Sequence, residues 1–493
     1  MNLTSSPRRR SARVLGSAGI VTTVLTLLCG CASAWGFGSS GGANGTVNLT
    51  YALWDPHEQV GYQASIDEFE KLHPDIKVTI ENIPYSSYEQ KVTAEFITGG
   101  APDLYWVNTP WLATFIKDGM LTNLAPLIKS SGINMAQYYP QLVALHSVGD
   151  KIYGLPKDWD TIALYYNKAY FAKLHLTVPA NLTWNANGTG SFVTFLKEAT
   201  TDKSGHNALS PQFNPNQVAT YALGVDNDPQ AGWGDYVAET GGKILPYPNA
   251  PRASLTTPQV QEGMSFLTKT LTGDHVIVPA TLSGPNANGN NLEQLFSSGQ
   301  VAMWEAGDWN TVSVKTSVTF PVGVATLPIG PAGRVSVFNG LIDGLNSHTP
   351  YPKQAWELEQ WLGSAQSQAI LGSGGYVWPA IKSLDPLFLN YWQKQGIDMS
   401  AFLTEAHGQV VNFPSSPGVG DALTEVVNDL GPAWLGTESV SAALQAAQGD
   451  ADYVLKTSLP MPAPRPAGRA HGSCPGDARG TGSRSDRRRS GRR

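Results

Sequence analysis

Two clusters of carboxylates with indoles beside them are the parts of this sequence best equipped for chemistry. Lys157-Asp158-Trp159-Asp160 holds two acids around a Trp, and Glu305-Ala306-Gly307-Asp308-Trp309 holds two more with a Trp at its end. Paired carboxyls serve as acid and nucleophile in glycoside cleavage. They serve equally as acceptors for sugar hydroxyls, with an indole packed on the apolar C–H face of the ring. Aromatic faces ringed by carboxylates also suit a polyamine. Composition alone does not separate a hydrolase from a binder.

The elements that must position these groups follow from periodicity. In residues 291–310, Leu292, Leu295 and Phe296 fall on one helical face, and Ser298-Gly299 ends that helix. Val301-Ala302-Met303-Trp304 then predicts a buried strand opening into a loop that carries Glu305, Asp308 and Trp309, with Trp304 in the core. Near the start, Val47 to Leu53 alternates as a strand and ends at Trp54-Asp55-Pro56-His57-Glu58. Helical spacing over Gln59 to His73, a strand over Ile76 to Ile80, a helix over Tyr88 to Thr98 stopped by Gly99-Gly100, and a strand over Leu104 to Val107 follow. This order is that of right-handed βαβ crossovers on a largely parallel sheet. Such sheets bind ligands at the C-terminal strand edges, so Trp54, Asp55, Glu58, Asn108 and Trp111 are expected to share one rim. Trp233, in Ala231-Gly232-Trp233-Gly234-Asp235, either lines a cleft or covers an apolar patch.

The 493 residues suggest two or more units with ample core. The 14 Trp and 18 Tyr make aromatic ligand surfaces plausible. Cysteine occurs only at positions 29, 31 and 474, which excludes a disulfide scaffold, a cysteine nucleophile and a zinc ribbon from the body. The formal charge of −6 is uneven. Residues 1–31 carry four Arg and no acid, and residues 461–493 carry nine Arg against two Asp, which leaves −17 on the body. That balance excludes a nucleic-acid binder.

Arg8-Arg9-Arg10 followed by the apolar stretch from Val14 to Leu28 reads as a secretory signal in residues 1–31. Leu28-Cys29-Gly30-Cys31 resembles a bacterial lipobox with Cys31 as the acylated first residue; an ordinary cleavage near Ala32-Ser33-Ala34 is the alternative. A Gly/Ser tether covers residues 32–46. Such an arrangement leaves an acidic domain held at the membrane by a lipid. Residues 461–493 switch from Lys to Arg and lack Leu, Ile, Val, Phe, Tyr and Trp, so a disordered tail is expected. It reads either as a basic surface-binding segment or as out-of-frame sequence.

The run YGLPKDWDTIALYYNKAYF resembles the lobe-crossing segment of extracellular solute-binding proteins of the sugar-binding type that feed ABC importers, the maltose-binding-protein-like family. GGAPDLYWVN with FIKDGMLTNL, LFSSGQVAMWEAGDW, Phe338-Asn339-Gly340, Ala355-Trp356-Glu357 to Leu362, and Gly374 to Pro379 extend the resemblance in order over roughly residues 47–455. It implies an α/β, two-lobed periplasmic-binding-protein-like fold, each lobe a mixed, mostly parallel sheet flanked by helices. The first lobe would comprise 47–155 and 335–376 and the second 156–334 and 377–460. Crossings would fall near Leu155, between Leu327 and Asn339, and near Tyr376. The resemblance further implies that Asp160 offers a carboxylate to a sugar, Trp309 stacks on it, Asn339-Gly340 offer backbone groups, and Trp378 joins the ligand wall. It implies a monomer that binds a carbohydrate, passes it to permease subunits, and needs neither cofactor nor catalysis.

Overall fold

The structure is a computed structural model that describes residues 45–285 and 290–459. The basic leader, nearly all of the tether, Cys31, Cys474 and the Arg-rich segment lie outside the described residues.

Two sheets define two lobes. In the first, β1 (Val47–Leu53) lies between β2 (Ile76–Asn82) and β3 (Leu104–Asn108), parallel to both. The connections are α1 (Pro56–Leu72) and α2 (Tyr85–Thr98), and α3 (Thr109–Lys117) follows β3. Leu49, Tyr51 and Leu53 are buried, as their alternation requires. Asp55 caps α1 by accepting from the backbone N–H groups of His57 at 2.7 Å and Glu58 at 3.0 Å, and Pro56 begins the helix. Gly99 closes α2 with φ 78°, the left-handed conformation that glycine adopts without penalty.

A hairpin of β4 (Ser147–Val148) and β5 (Lys151–Ile152) precedes the second lobe. β5 is only two residues long, and beyond it Pro156, which lacks the N–H that a ladder needs, meets Ile342 only as an isolated bridge. The second lobe holds β6 (Ile162–Asn167), β7 (Thr201–Asp202), β8 (Val218–Gly224), β9 (Val301–Gly307) and β10 (Val322–Ala325), in the order β10-β6-β9-β8-β7. The two-lobed α/β architecture is the one expected, but the strand directions in this lobe are not. Of its pairings only β8 with β9 is parallel. The cause is connectivity: β6 enters straight from the crossing rather than through a βαβ unit, so it runs against both neighbours.

β11 (Val335–Phe338) also belongs to the second lobe, before β12 (Leu341–Leu345) pairs antiparallel with β3 to complete the order β12-β3-β1-β2. β11 pairs with β13 (Gln409–Asn412), and its Val337 donates a backbone N–H to Asp235 at 2.6 Å inside the second-lobe core. The expected boundary at residue 335 thus moves to Asn339-Gly340.

Each lobe has its own core. Tyr51, Trp106, Phe115 and Leu358 belong to the first, and Trp184, Trp233, Phe266 and Leu430 to the second. A further cluster under the second sheet contains Leu292, Phe296, Val301 and Trp304 and continues into the crossings through Trp159, Phe338 and Trp378. The crossings lie side by side. Asp160 and Asn339 exchange backbone hydrogen bonds of 3.0 and 3.1 Å, and Asp158 bridges to Pro379.

Candidate functional site

Strand register decides which side chains meet. Ile162 pairs with Gly307, so Asp160, just before β6, and Asp308, just after β9, flank the same sheet edge. In the facing lobe Leu341 pairs with Asn108, so the start of β12 and the end of β3 lie together, with Trp54 at the end of the neighbouring β1. Between these edges is a cavity of about 440 Å³, within the usual range of small-ligand sites.

Ten of the expected residues line it: Trp54, Asp55, Glu58, Asn108, Asp160, Glu305, Asp308, Trp309, Asn339 and Trp378. Trp54 is held edge-on by Trp106 at 4.7 Å and Tyr88 at 4.9 Å between ring centroids. Asp55 both caps α1 and lines the cavity, so one residue fixes the helix start and presents acid to the cleft. Asn339 joins the lobes: its side-chain N–H group donates to Asn108 Oδ1 at 3.0 Å and to Gln230 Oε1 at 3.4 Å. Gln230 in turn donates to Asp160 Oδ1 at 2.6 Å. The Trp378 indole N–H donates to Asp385 at 2.9 Å and its ring lies 4.3 Å from that of Trp159.

Three expected residues lie outside the wall. Trp111 is 6 % exposed, stacked on Tyr88 at 5.8 Å and 16°, and supports Trp54 from behind at 5.5 Å. Its position in the first turn of α3, beyond the strand end proper, turns the ring into the core. Trp233 is 1 % exposed within the second-lobe core, where it starts the helix Trp233–Glu239; it covers apolar surface rather than the cleft. The Gly340 carbonyl accepts from Thr109 Oγ1 at 3.3 Å and bonds His146 Nε2 at 3.1 Å, so it is committed within the protein.

The wall is strongly acidic. Burial raises the pKa of Glu58, Asp160 and Asp308 well above the ordinary carboxylate range, and their proximity to one another and to Asp158 adds to it. Lys157 opposes this from behind the wall, with its ammonium on Asp158, 2.8 Å from the Tyr62 hydroxyl and 4.0 Å from the Trp106 ring centroid. Burial raises Glu305 to about 8 although Tyr236 donates to it at 2.9 Å. Glu58, Glu305 and Asp308 each keep one oxygen without a hydrogen-bond partner. Among the described residues no group of three His, Cys, Asp or Glu is placed to hold a metal ion.

Sequence reasoning missed Asp226, Asp228 and Gln230, which follow β8. The strand-end rule used in the first lobe would have found them, since VATYALG alternates as β1 does. It also omitted Tyr85, Trp106, Trp159 and Tyr376 from the wall. Trp159 and Tyr376 stand in the crossing segments, where a buried hinge aromatic and a cavity aromatic look alike in sequence.

Two lobes, side-by-side crossings and a cavity between facing sheet edges define a cleft-type binding protein. Residues 55–369 match the bacterial extracellular solute-binding protein family, and the chain belongs to that family. It is a family of solute-binding proteins rather than enzymes, acting outside the cytoplasm. The chain is similar to the galactooligosaccharide-binding protein of Bacillus subtilis, 24% identical over 359 residues that cover 71% of this chain and 78% of the relative. Its fold is similar to that of M. tuberculosis UspC, with TM-score 0.69 and 27% identity over 83% of this chain and 100% of that one. It is also similar to an ABC substrate-binding protein of Listeria monocytogenes in complex with cycloalternan, with TM-score 0.72 and 18% identity over 83% and 98% of the two chains.

Proposed function

We propose that this protein captures a carbohydrate in the interlobe cleft and delivers it to an ABC-type importer. The observation that carries this is the wall itself: Trp54 and Trp309 offer faces for sugar C–H surfaces, and the carboxylates beside them offer acceptors for hydroxyls. The kinship with oligosaccharide-binding relatives supports the same class of ligand. Ligand that touches both edges stabilises the closed arrangement, because only then do Asp55 and Glu58 of one lobe and Asp308 and Trp309 of the other reach it together. Permease subunits would recognise the closed form, and acylated Cys31 would hold the protein at the membrane. No bond of the sugar is cleaved.

Calorimetric titration against a panel of di- and oligosaccharides, with chromatography of the recovered sugars, tests this. Saturable binding with intact sugars is expected. Cleavage products, or no binding by any sugar, would overturn it. For the anchor, incorporation of labelled fatty acid that disappears in Cys31→Ser is expected; equal labelling in that variant would refute the assignment.

A further inference from the structure

The cavity's polar groups are lopsided in a way that neutral sugar recognition does not require. Among the described residues nine Asp and Glu side chains line it, and no Lys, Arg or His does. The nearest buried cation, Lys157, is already engaged with Asp158, Tyr62 and the Trp106 face. The amide donors of the wall are likewise committed: Asn108 to Tyr85, Asn339 to Asn108 and Gln230, and Gln230 to Asp160. Apart from the indole N–H of Trp304, what stays open is acceptor capacity. Glu58 and Asp308, 9 % and 5 % exposed, stand in the wall with one carboxylate oxygen each unpartnered.

A hydroxyl donates one hydrogen and brings no charge, whereas an ammonium group donates three and brings a full positive charge. Burial and the neighbouring acids disfavour the charged form of these carboxyls, and a cation between them favours it again while filling the open acceptors. Indole faces beside the acids favour the same charge. Resting on the carbohydrate reading above, we infer that the ligand is an aminated sugar, whose protonated amine is held by Glu58 and Asp308 across the cleft while the ring lies against Trp54 or Trp309.

The test compares sugars that differ at one position. Cellobiose and maltose are titrated into the protein beside their 2-amino-2-deoxy and 2-acetamido-2-deoxy counterparts, with spermidine as the non-sugar cation. A free amine in one linkage series is expected to bind about tenfold or more tighter than both its hydroxyl and its acetamido counterpart. In Asp308→Asn and Glu58→Gln, both near-isosteric, that preference should shrink to about threefold or less. Equal or tighter binding of the hydroxyl or acetamido sugars would overturn the amine assignment and leave carbohydrate binding intact. Binding of spermidine with failure of every sugar would overturn carbohydrate binding as well.

Discussion

Gly307→Ala separates the presence of the Trp309 indole from its position. Gly307 ends β9 with φ −78° and ψ 161°, a conformation that alanine adopts freely, so the backbone is not strained. A Cβ there would stand 1.9 Å from Trp309 Cζ3, 2.1 Å from Cη2 and 2.2 Å from Cε3. Carbon atoms in contact sit about 3.5 Å apart, so the six-membered ring must move by about 1.6 Å or rotate away. Trp309 is partly exposed rather than locked in a core, so the cost to folding should stay within about 1–2 kcal/mol. A displaced ring forfeits the stacking term, about 0.5–1.5 kcal/mol, which is a two- to tenfold loss of affinity. Isothermal titration with the tightest-binding sugar measures the affinity, and thermal unfolding confirms that the variant is folded. Unchanged affinity in Gly307→Ala would refute the role of Trp309 as a ligand platform, because a Cβ on this backbone occupies the place of the ring.

Other variants divide fold from function. Trp233→Ala should cost about 3–5 kcal/mol in chemical denaturation, since the indole is enclosed in the second-lobe core, yet leave the affinity of the folded fraction unchanged; a marked loss of affinity would return Trp233 to the cleft. Lys157→Met leaves the buried carboxylates of Asp158 and Glu58 without their cation and should destabilise by about 3–5 kcal/mol, with a loss below about 1 kcal/mol refuting the pairing. Burial lifts Glu305 to about 8, Glu405 and Glu89 to about 7 (Asp421 adding to the last) and Asp343 to about 6. A raised carboxyl keeps its proton in the folded state after the unfolded chain has lost it, so stability falls as pH rises from about 4.5 through these values. Burial lowers His146 to about 4, which instead removes stability as pH falls below about 6.5. With the acids outnumbering the histidine, thermal unfolding should occur at lower temperature at pH 8 than at pH 5.5; the opposite order would refute the assignment.

Much of the fold was legible because local patterns agree with the tertiary outcome. β1 runs from Val47 to Leu53 as its alternation requires, and Gly99 and Gly299 end their helices where expected. β9 runs on through Gly307, beyond the expected end at Trp304. Glu305 looks like a loop residue in sequence, but its backbone pairs with Leu164 and its carboxylate accepts from Tyr236, both of which are distant in the chain. Trp111 and Trp233 failed for a related reason: an indole beside a strand end packs inward or outward according to neighbours that sequence spacing does not display.

The cleft itself was only half readable, because its two rims are made by different rules. In the first lobe the rim is the C-terminal edge of parallel strands, and the strand-end rule finds Trp54, Asp55, Glu58 and Asn108 directly. In the second lobe β6 and β9 are antiparallel, so one rim collects the residue before one strand and the residue after the other. Asp160 meets Asp308 there through the register of Ile162 with Gly307, which no local pattern encodes. The consequence is electrostatic. Acids 148 positions apart in the chain become neighbours behind one wall, and the −17 charge that looked like a general property of the body is in part concentrated in the cleft. Acids placed only for solubility would sit on the exposed surface, where water screens them. Lining one cavity with nine acids, six of them buried, disfavours their charged forms in a way that the protein's own Lys157 offsets only in part, and this shortfall is what a cationic ligand would supply.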